Sequence, residues 1–387
     1  MGTKEISELN EQLRRHMFQL ADPQFWKRND EMTDGSIDAF RENGFLRNIR
    51  TVYLVGHGTS YATALNGESL IAHIAGVYAR AVYAYQMREY PDELIREPQQ
   101  TLVIGVTCGG NTVSVRKALE EAKKRGAYTM LASNNGNPSC ASAADLRVRT
   151  DCGIEERAEV QAYSISHLIL LSALYKVGIL LAERNGTADK EKAAQWKRKL
   201  ERVKEQMTFI PEMFQKMESI ARWYREAGFE HMVVLGTGPN QGTMREGALK
   251  ICEMAWKFDA GEELEDFAHG RFRELDGSIP LFIISPSRKT QDKVLDLLTG
   301  CYISQTPSVV FAGEKTEVME KLATHIVEMP EVEDEYLTPF LYVIPLWFLG
   351  YHLRQMEGGL VGEKRFGLFA KDIDFHAHFN PEGEWIG

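Results

Sequence analysis

The stretch Thr51-Val-Tyr-Leu-Val-Gly56-His-Gly58-Thr-Ser-Tyr61 decides the fold of this 387-residue chain. A short run rich in β-branched and apolar residues, 51–55, ends in a glycine turn, and a helix-compatible stretch, 62–74, follows. Further apolar runs at 81–85, 101–107 and 128–132 are separated by segments of helical period such as 113–124. Strand and helix alternating at this spacing predict a parallel sheet covered by helices on both faces.

The second half repeats the layout, though not the residues. The run 231–235 enters Gly236-Thr-Gly-Pro-Asn240, a helix-like stretch continues to 257, and strands are expected at 281–285, 308–311 and 325–329. The Lys-, Glu- and Ala-rich stretch 190–207 predicts a solvated connecting helix. The expected organisation is a helical, peripheral N-terminal segment (1–48), a first α/β unit (49–186), connecting helices (187–228), a second α/β unit (229–355) and an irregular C-terminal tail (356–387) holding Pro381, His376 and His378.

Composition supports two folded cores. Hydrophobic residues make up 44% of the chain and charged residues 26%, a globular balance. The N-terminus lacks the apolar core of a secretion signal. No uncharged apolar run of about 18 residues is expected, the longest candidate being 342–351, which is too short to span a membrane and reads as a buried helix. Five cysteines, 108, 140, 152, 252 and 301, are odd in number and lack CxxC spacing, so neither a disulfide framework nor a zinc site is expected. A cytoplasmic protein with no metal, no cofactor and no membrane contact fits these features. The net charge of −10 argues against a nucleic-acid partner and requires any anion site to be local.

Two turns have the form of such a site. Gly56-His57-Gly58-Thr59-Ser60 presents backbone N–H groups and two hydroxyls at a helix start, and Thr107-Cys108-Gly109-Gly110-Asn111-Thr112 does the same before 113. Either turn alone also fits a purely structural role for its glycines. A dinucleotide is disfavoured, because Tyr61 stands where a third glycine belongs, and a Gly-Lys-Ser/Thr triplet is missing throughout. Two hydroxyl-bearing turns at adjacent strand ends suit one compact phosphate, hence a sugar phosphate.

Functional side chains are densest between Glu253 and Arg273. The expected helix 244–257 buries Met244, Ala248, Ile251, Cys252 and Ala255, with Glu253 at the edge of that stripe, where a solvated glutamate would also be at home. His269, beside Gly270, is expected in a loop, and a surface histidine fits there too. A carboxylate can move a proton between adjacent carbons of an open-chain sugar, an imidazole can open the ring, and a lysine can stabilise developing charge or form an imine.

The ordered set Gly56-x-Gly-Thr-Ser-Tyr61, Arg245-Glu-Gly-Ala-Leu-Lys250, Glu253 sixteen places before His269-Gly270, and Phe369-Ala-Lys371 resembles the isomerase half of glucosamine-6-phosphate synthase. It is similar also to the SIS-fold deglycases that cleave fructosamine 6-phosphates, such as the fructoselysine and fructose-asparagine types. The likeness covers roughly residues 45 to 375 and implies two SIS-type, doubly wound, flavodoxin-like subdomains with a C-terminal tail reaching the active site. It places Gly58, Thr59 and Ser60 in the first sugar-phosphate loop and Thr107, Gly109, Asn111 and Thr112 in the second. Glu253 matches the proton-transfer base, His269 the ring-opening histidine supplied by a neighbouring subunit, and Lys371 a lysine of the tail. A homodimer or larger assembly with shared sites is thereby implied.

The departures from the pattern are specific. The synthase loop reads Ser-Gln-Ser-Gly-Glu-Thr where this chain has Thr107 to Thr112, so a hydroxyl is lost at Gly109; the Gly-Asn-Thr ending and Glu253-Met-x-Trp256 resemble the deglycases. Gln161 stands where the family has a lysine. Arg271 replaces a proline and either reads an acidic group on the substrate or faces water, the second being preferred. Met1 is followed by Gly2, so the glutamine amidotransferase half of the synthase is expected to be absent. Cys108 is expected to be a packed thiol and not a nucleophile. The favoured expectation is a deglycase that splits a ketosamine 6-phosphate through an enaminol. The alternatives are an aldose–ketose isomerase or amino-sugar phosphate deaminase, and a sugar-phosphate-sensing protein without turnover.

Overall fold

The computed structural model describes residues 3–134, 136–153 and 164–363. Helices α1 (Thr3–Phe18) and α2 (Pro23–Asp38) come first; α2 starts at Pro23, with the Asp22 carboxylate accepting the Gln24 N–H at 2.9 Å. These helices are not peripheral. Leu13, Met17, Phe25, Trp26 and Ile37 are buried in the main core, because the first sheet would otherwise leave apolar surface in water on that side.

The first α/β unit runs β1 (Thr51–Gly56), α3 (Gly58–Ala75), β2 (Tyr78–Tyr83), α4 (Ala84–Glu89), α5 (Pro91–Leu94), β3 (Thr101–Thr107), α6 (Val113–Lys124), β4 (Tyr128–Asn134) and β5 (Leu146–Thr150). Its strands are all parallel in the order β2-β1-β3-β4-β5, with Thr51 opposite both Tyr78 and Thr101. The strand expected at 81–85 is β2, three residues earlier, and 84–89 is helical. In β2 the alternation of exposed Tyr78 and Arg80 with buried Ala79 and Ala81 is the period-2 signal of an edge strand.

Helices α7 (Ile165–Asn185), α8 (Lys190–Glu205) and α9 (Ile210–Glu226) join the halves. By length and composition α7 could cross a membrane, but it is buried in the protein core. It, and not 342–351, is the longest apolar helix among the described residues. Its one buried cation, Lys176, is held by Asp30 at 2.8 Å and Asp34 at 2.9 Å. Nor is α8 fully solvated, since it packs Ala193, Trp196, Leu200 and Val203 inward.

The second unit runs β6 (His231–Gly236), α10 (Gln241–Ala255), β7 (Phe258–Glu263), α11 (Leu264–His269), β8 (Leu281–Ser285), α12 (Gln291–Ser304), β9 (Ser308–Ala312), α13 (Glu317–Leu322) and β10 (His325–Glu328). Its sheet order, β10-β9-β8-β6-β7, is the topology of the first sheet read from the other edge. Helices α14 (Pro339–Tyr342) and α15 (Ile344–Met356) are almost wholly buried, the latter against α9 and α10. The halves meet where α3 crosses α10. A Cβ on Gly242 would lie 2.2 Å from the Ala62 carbonyl oxygen, so only glycine permits this approach.

Candidate active site

In both sheets the strand order reverses beside the first strand of the unit, and in open α/β sheets ligands bind at that reversal, outside the carboxyl ends of the strands. In the first unit this crevice lies between the ends of β1 and β3. Gly58, Thr59 and Ser60 form the first residues of the 18-residue α3, where unpaired N–H groups and the helix dipole favour an anion. Across from them, Thr107 ends β3 and Thr112 precedes α6, their hydroxyl oxygens 3.1 Å apart.

The second turn is braced from within. Asn111 Oδ1 accepts the Ser139 N–H at 2.8 Å, and Asn111 Nδ2 donates to the Gly109 carbonyl at 3.0 Å. Gly110 has φ +69°, and a Cβ there would fall 2.3 Å from Pro138 Cβ. The half-buried Cys108 packs its sulfur 3.1 Å from that of Cys152, and both are reduced thiols, not joined in a disulfide.

Helix α10 supplies a charged face directed at the first turn. Glu246, Lys250 and Glu253, spaced i, i+4, i+7, share one side of the helix. The Lys250 ammonium is fully buried and donates to Thr59 Oγ1 at 2.7 Å and to Glu253 Oε2 at 2.5 Å. The equally buried Glu246 lies 3.6 Å from the same ammonium and accepts from Thr59 Oγ1 at 3.4 Å. Glu253 alone of the three is open to solvent, its side chain 38% exposed. It stands in the last turn of α10, which ends at Trp256 in the left-handed region (φ 56°). A carboxylate held by a buried ammonium beside an anion-binding turn can take and return a proton on a bound sugar phosphate.

Comparison with known proteins fixes the relationship. The model of the SIS domain matches residues 45–176 and 227–353. The chain belongs to the SIS domain family. A curated relative, glutamine–fructose-6-phosphate aminotransferase (isomerizing) of Thermococcus kodakarensis, is 29% identical over 318 residues, covering 81% of this chain and 50% of the relative. The chain thus spans about half the length of the curated relatives it matches. Among solved structures, the C-terminal domain of glucosamine-fructose-6-phosphate aminotransferase from Francisella tularensis has a TM-score of 0.75 at 20% identity, covering 93% of this chain and 97% of that one. Tagatose-6-phosphate ketose/aldose isomerase from Escherichia coli has a TM-score of 0.72 at 20% identity, with 92% and 94% covered. The doubly wound SIS fold expected from the sequence is the fold observed.

Within this SIS fold the sequence-derived residues divide into groups. Thr59 and Glu253 are brought together through Lys250, with the Thr107–Thr112 turn at the neighbouring strand end. His269 is not with them: it ends the short helix α11 and does not lie in a loop, because Glu263 caps that helix by accepting the N–H groups of Glu265 and Asp266, both at 2.8 Å. Its ring is 74% exposed and contacts Glu265 at 3.1 Å. Arg271 pairs with Glu262 at 3.2 Å on the surface. Cys252 is exposed and outside the buried stripe, since it lies a full 100° around the helix from Ile251. Lys371 and Gln161 lie outside the described residues. Among the described residues, no group of three His, Cys, Asp or Glu side chains is placed to hold a metal ion.

Lys250 and Glu246 are the residues that the sequence reading passed over. Both lie in the stretch Arg245–Lys250, and the signal that marks them is the run of three charges, with Glu253, at helical spacing beside Gly247 and Ala248, small residues that permit close packing.

Proposed function

We propose that the chain is a deglycase, converting a fructosamine 6-phosphate to a hexose 6-phosphate and a free amine or amino acid. The observation that carries the reading is the Thr59–Lys250–Glu253 contact, which puts a solvent-facing carboxylate beside the first anion turn. The phosphate is gripped by the N–H groups and hydroxyls of Gly58, Thr59 and Ser60 and by the turn 107–112. Glu253 removes a proton from the carbon bearing the amine while the neighbouring carbonyl oxygen is protonated, giving an enaminol. Return of the proton to the neighbouring carbon yields an aldimine, and water splits it into the aldehyde sugar and the amine. Lys250 aims the Glu253 carboxylate. Ring opening falls to His269, and its exposure fits delivery into the site of a second copy, so a homodimer is part of the reading. Lys371, from the tail, is assigned to the open-chain oxygens.

The test is a panel of fructosamine 6-phosphates, glucosamine 6-phosphate and fructose 6-phosphate, assayed for glucose 6-phosphate, ammonia and free amine. Release of an amine or amino acid supports the deglycase. Ammonia release or ketose–aldose interconversion transfers the same residues to a deaminase or isomerase, and binding without turnover to a sensor. Glu253→Gln should abolish turnover and leave sugar-phosphate binding nearly unchanged; an active variant removes Glu253 from the mechanism.

A further inference from the structure

His167, in the first turn of α7, is fully buried and joins three helices. Thr63 Oγ1, on α3, lies 2.9 Å from its Nδ1, and Asn66 Nδ2, on the same helix, 3.3 Å from its Nε2. The amide of Asn66 is oriented by α10: Oδ1 accepts the Thr243 backbone N–H at 3.1 Å, and Nδ2 donates to Thr243 Oγ1 at 3.3 Å. The N–H side of the amide therefore faces Nε2, which must accept. The ring proton is then on Nδ1 and is donated to Thr63, leaving the Thr63 hydroxyl hydrogen for the Thr59 carbonyl, 2.9 Å away. Trp347, edge-on at 6.2 Å between ring centroids, packs against the imidazole.

We propose that His167 is a positioning residue that sets the spacing between Thr59 on α3 and Lys250 on α10, and through it the aim of Glu253. Thr63 lies one helical turn beyond Thr59, and Thr243 two turns before Lys250. The imidazole holds Thr63 and Asn66, and Asn66 carries the tie on to Thr243, at the crossing where Gly242 lies against Ala62. Thr63, Asn66, His167 and Thr243 are all fully buried, so each bond forms in a low dielectric and is costly to leave unmade. A displacement of about 1 Å between reacting groups can cost on the order of 100-fold in rate. The catalytic part of this inference rests on the proposed function; the geometry does not.

The test compares His167→Leu, which removes the ring's bonds to Thr63 and Asn66, with His167→Asn, whose amide N–H falls near the Nδ1 position. In the leucine variant kcat should fall by up to about 100-fold with KM little changed, and the asparagine variant should recover much of the loss. A folded leucine variant keeping more than half of kcat, or an asparagine variant folded yet no better than leucine, overturns the proposal. Imidazole 15N spectra of the unmutated protein, assigned by difference against His167→Asn, should show a protonated Nδ1 and a bare Nε2. The opposite tautomer or an imidazolium at neutral pH overturns it whether or not a substrate has been found. Inertness toward every sugar phosphate would sink the functional reading alone.

Discussion

Replacing Lys250 by methionine keeps nearly the same side-chain length and volume and deletes the charge. In the native protein the ammonium lies 3.6 Å from Glu246 Oε1, and both side chains are fully buried. At an effective dielectric of about 20 the attraction at that distance is about 5 kcal/mol, part of which is offset because a buried lysine no longer has to be desolvated. Removing one partner of a buried pair typically costs about 3–5 kcal/mol, since the remaining charge is left in a poor solvent. Lys250→Met should therefore lower the free energy of unfolding by about 3 kcal/mol or more, read as a shift in urea midpoint at constant slope. The double variant Glu246→Gln, Lys250→Met should regain a large part of that loss, because the buried side chain at 246 is then neutral. A single variant within about 1 kcal/mol of the unmutated protein, or losses that simply add in the double variant, would refute the reasoning.

The remaining predictions concern packing, the phosphate turn and pH. Gly242→Val should destabilise by at least about 1–3 kcal/mol, measured by urea unfolding, because its Cβ would press on the Ala62 carbonyl and on Asn66 Oδ1 at 2.3 Å. Gly110→Ala combines a left-handed φ of +69° with a clash against Pro138; sugar-phosphate affinity measured by calorimetry should fall as the Thr112 turn is displaced. Burial holds the pKa of His352 below its usual 6.5, while its Nε2 lies 2.9 Å from the Phe214 carbonyl. The unfolded chain therefore binds the extra proton first. The stability present above about pH 6.5 should be lost as pH falls from there toward the folded pKa, visible in urea midpoints taken between about pH 7.5 and 5.5. His73 and His325 are shifted in the same direction, also through burial, and add to the slope.

Much of the architecture was legible because it is local. The central strands β1, β3, β4, β6, β8 and β9 are continuous apolar runs buried on both faces, and each announces itself without reference to the rest of the chain. The edge strands β5 and β7 were missed for the converse reason. Arg147 and Arg149 in the first, and Glu262 and Glu263 in the second, are tolerated because an edge needs less apolar cover. Lys176 hid α7 by interrupting its apolar run, and only the docking of Asp30 and Asp34 from α2 explains how that charge is buried. The site divides in the same way. Thr59 and Glu253 could be chosen from a turn and a helix, whereas the burial of Lys250 depends on Thr59, 191 positions away in the chain, and no local pattern carries that distance.

The duplicated topology also shows why one half holds the turn and the other the carboxylate. The strand-end crevice of the second unit, between β6 and β8, contains one of the chain's own acids. Glu335 accepts from Ser287 Oγ at 2.9 Å and pairs with Lys289 at 2.8 Å, and Asn240 donates to Thr338 Oγ1 at 2.8 Å just beyond. A phosphate entering there would meet the Glu335 carboxylate and have to compete with it for Lys289, where the first unit offers hydroxyls and helix N–H groups. Across the α3–α10 crossing, the face of the second unit that bears Glu246, Lys250 and Glu253 meets the first unit's turn, Lys250 reaching Thr59. On the proposed function, the crevice of the first unit takes the phosphorylated substrate, and both units contribute to it.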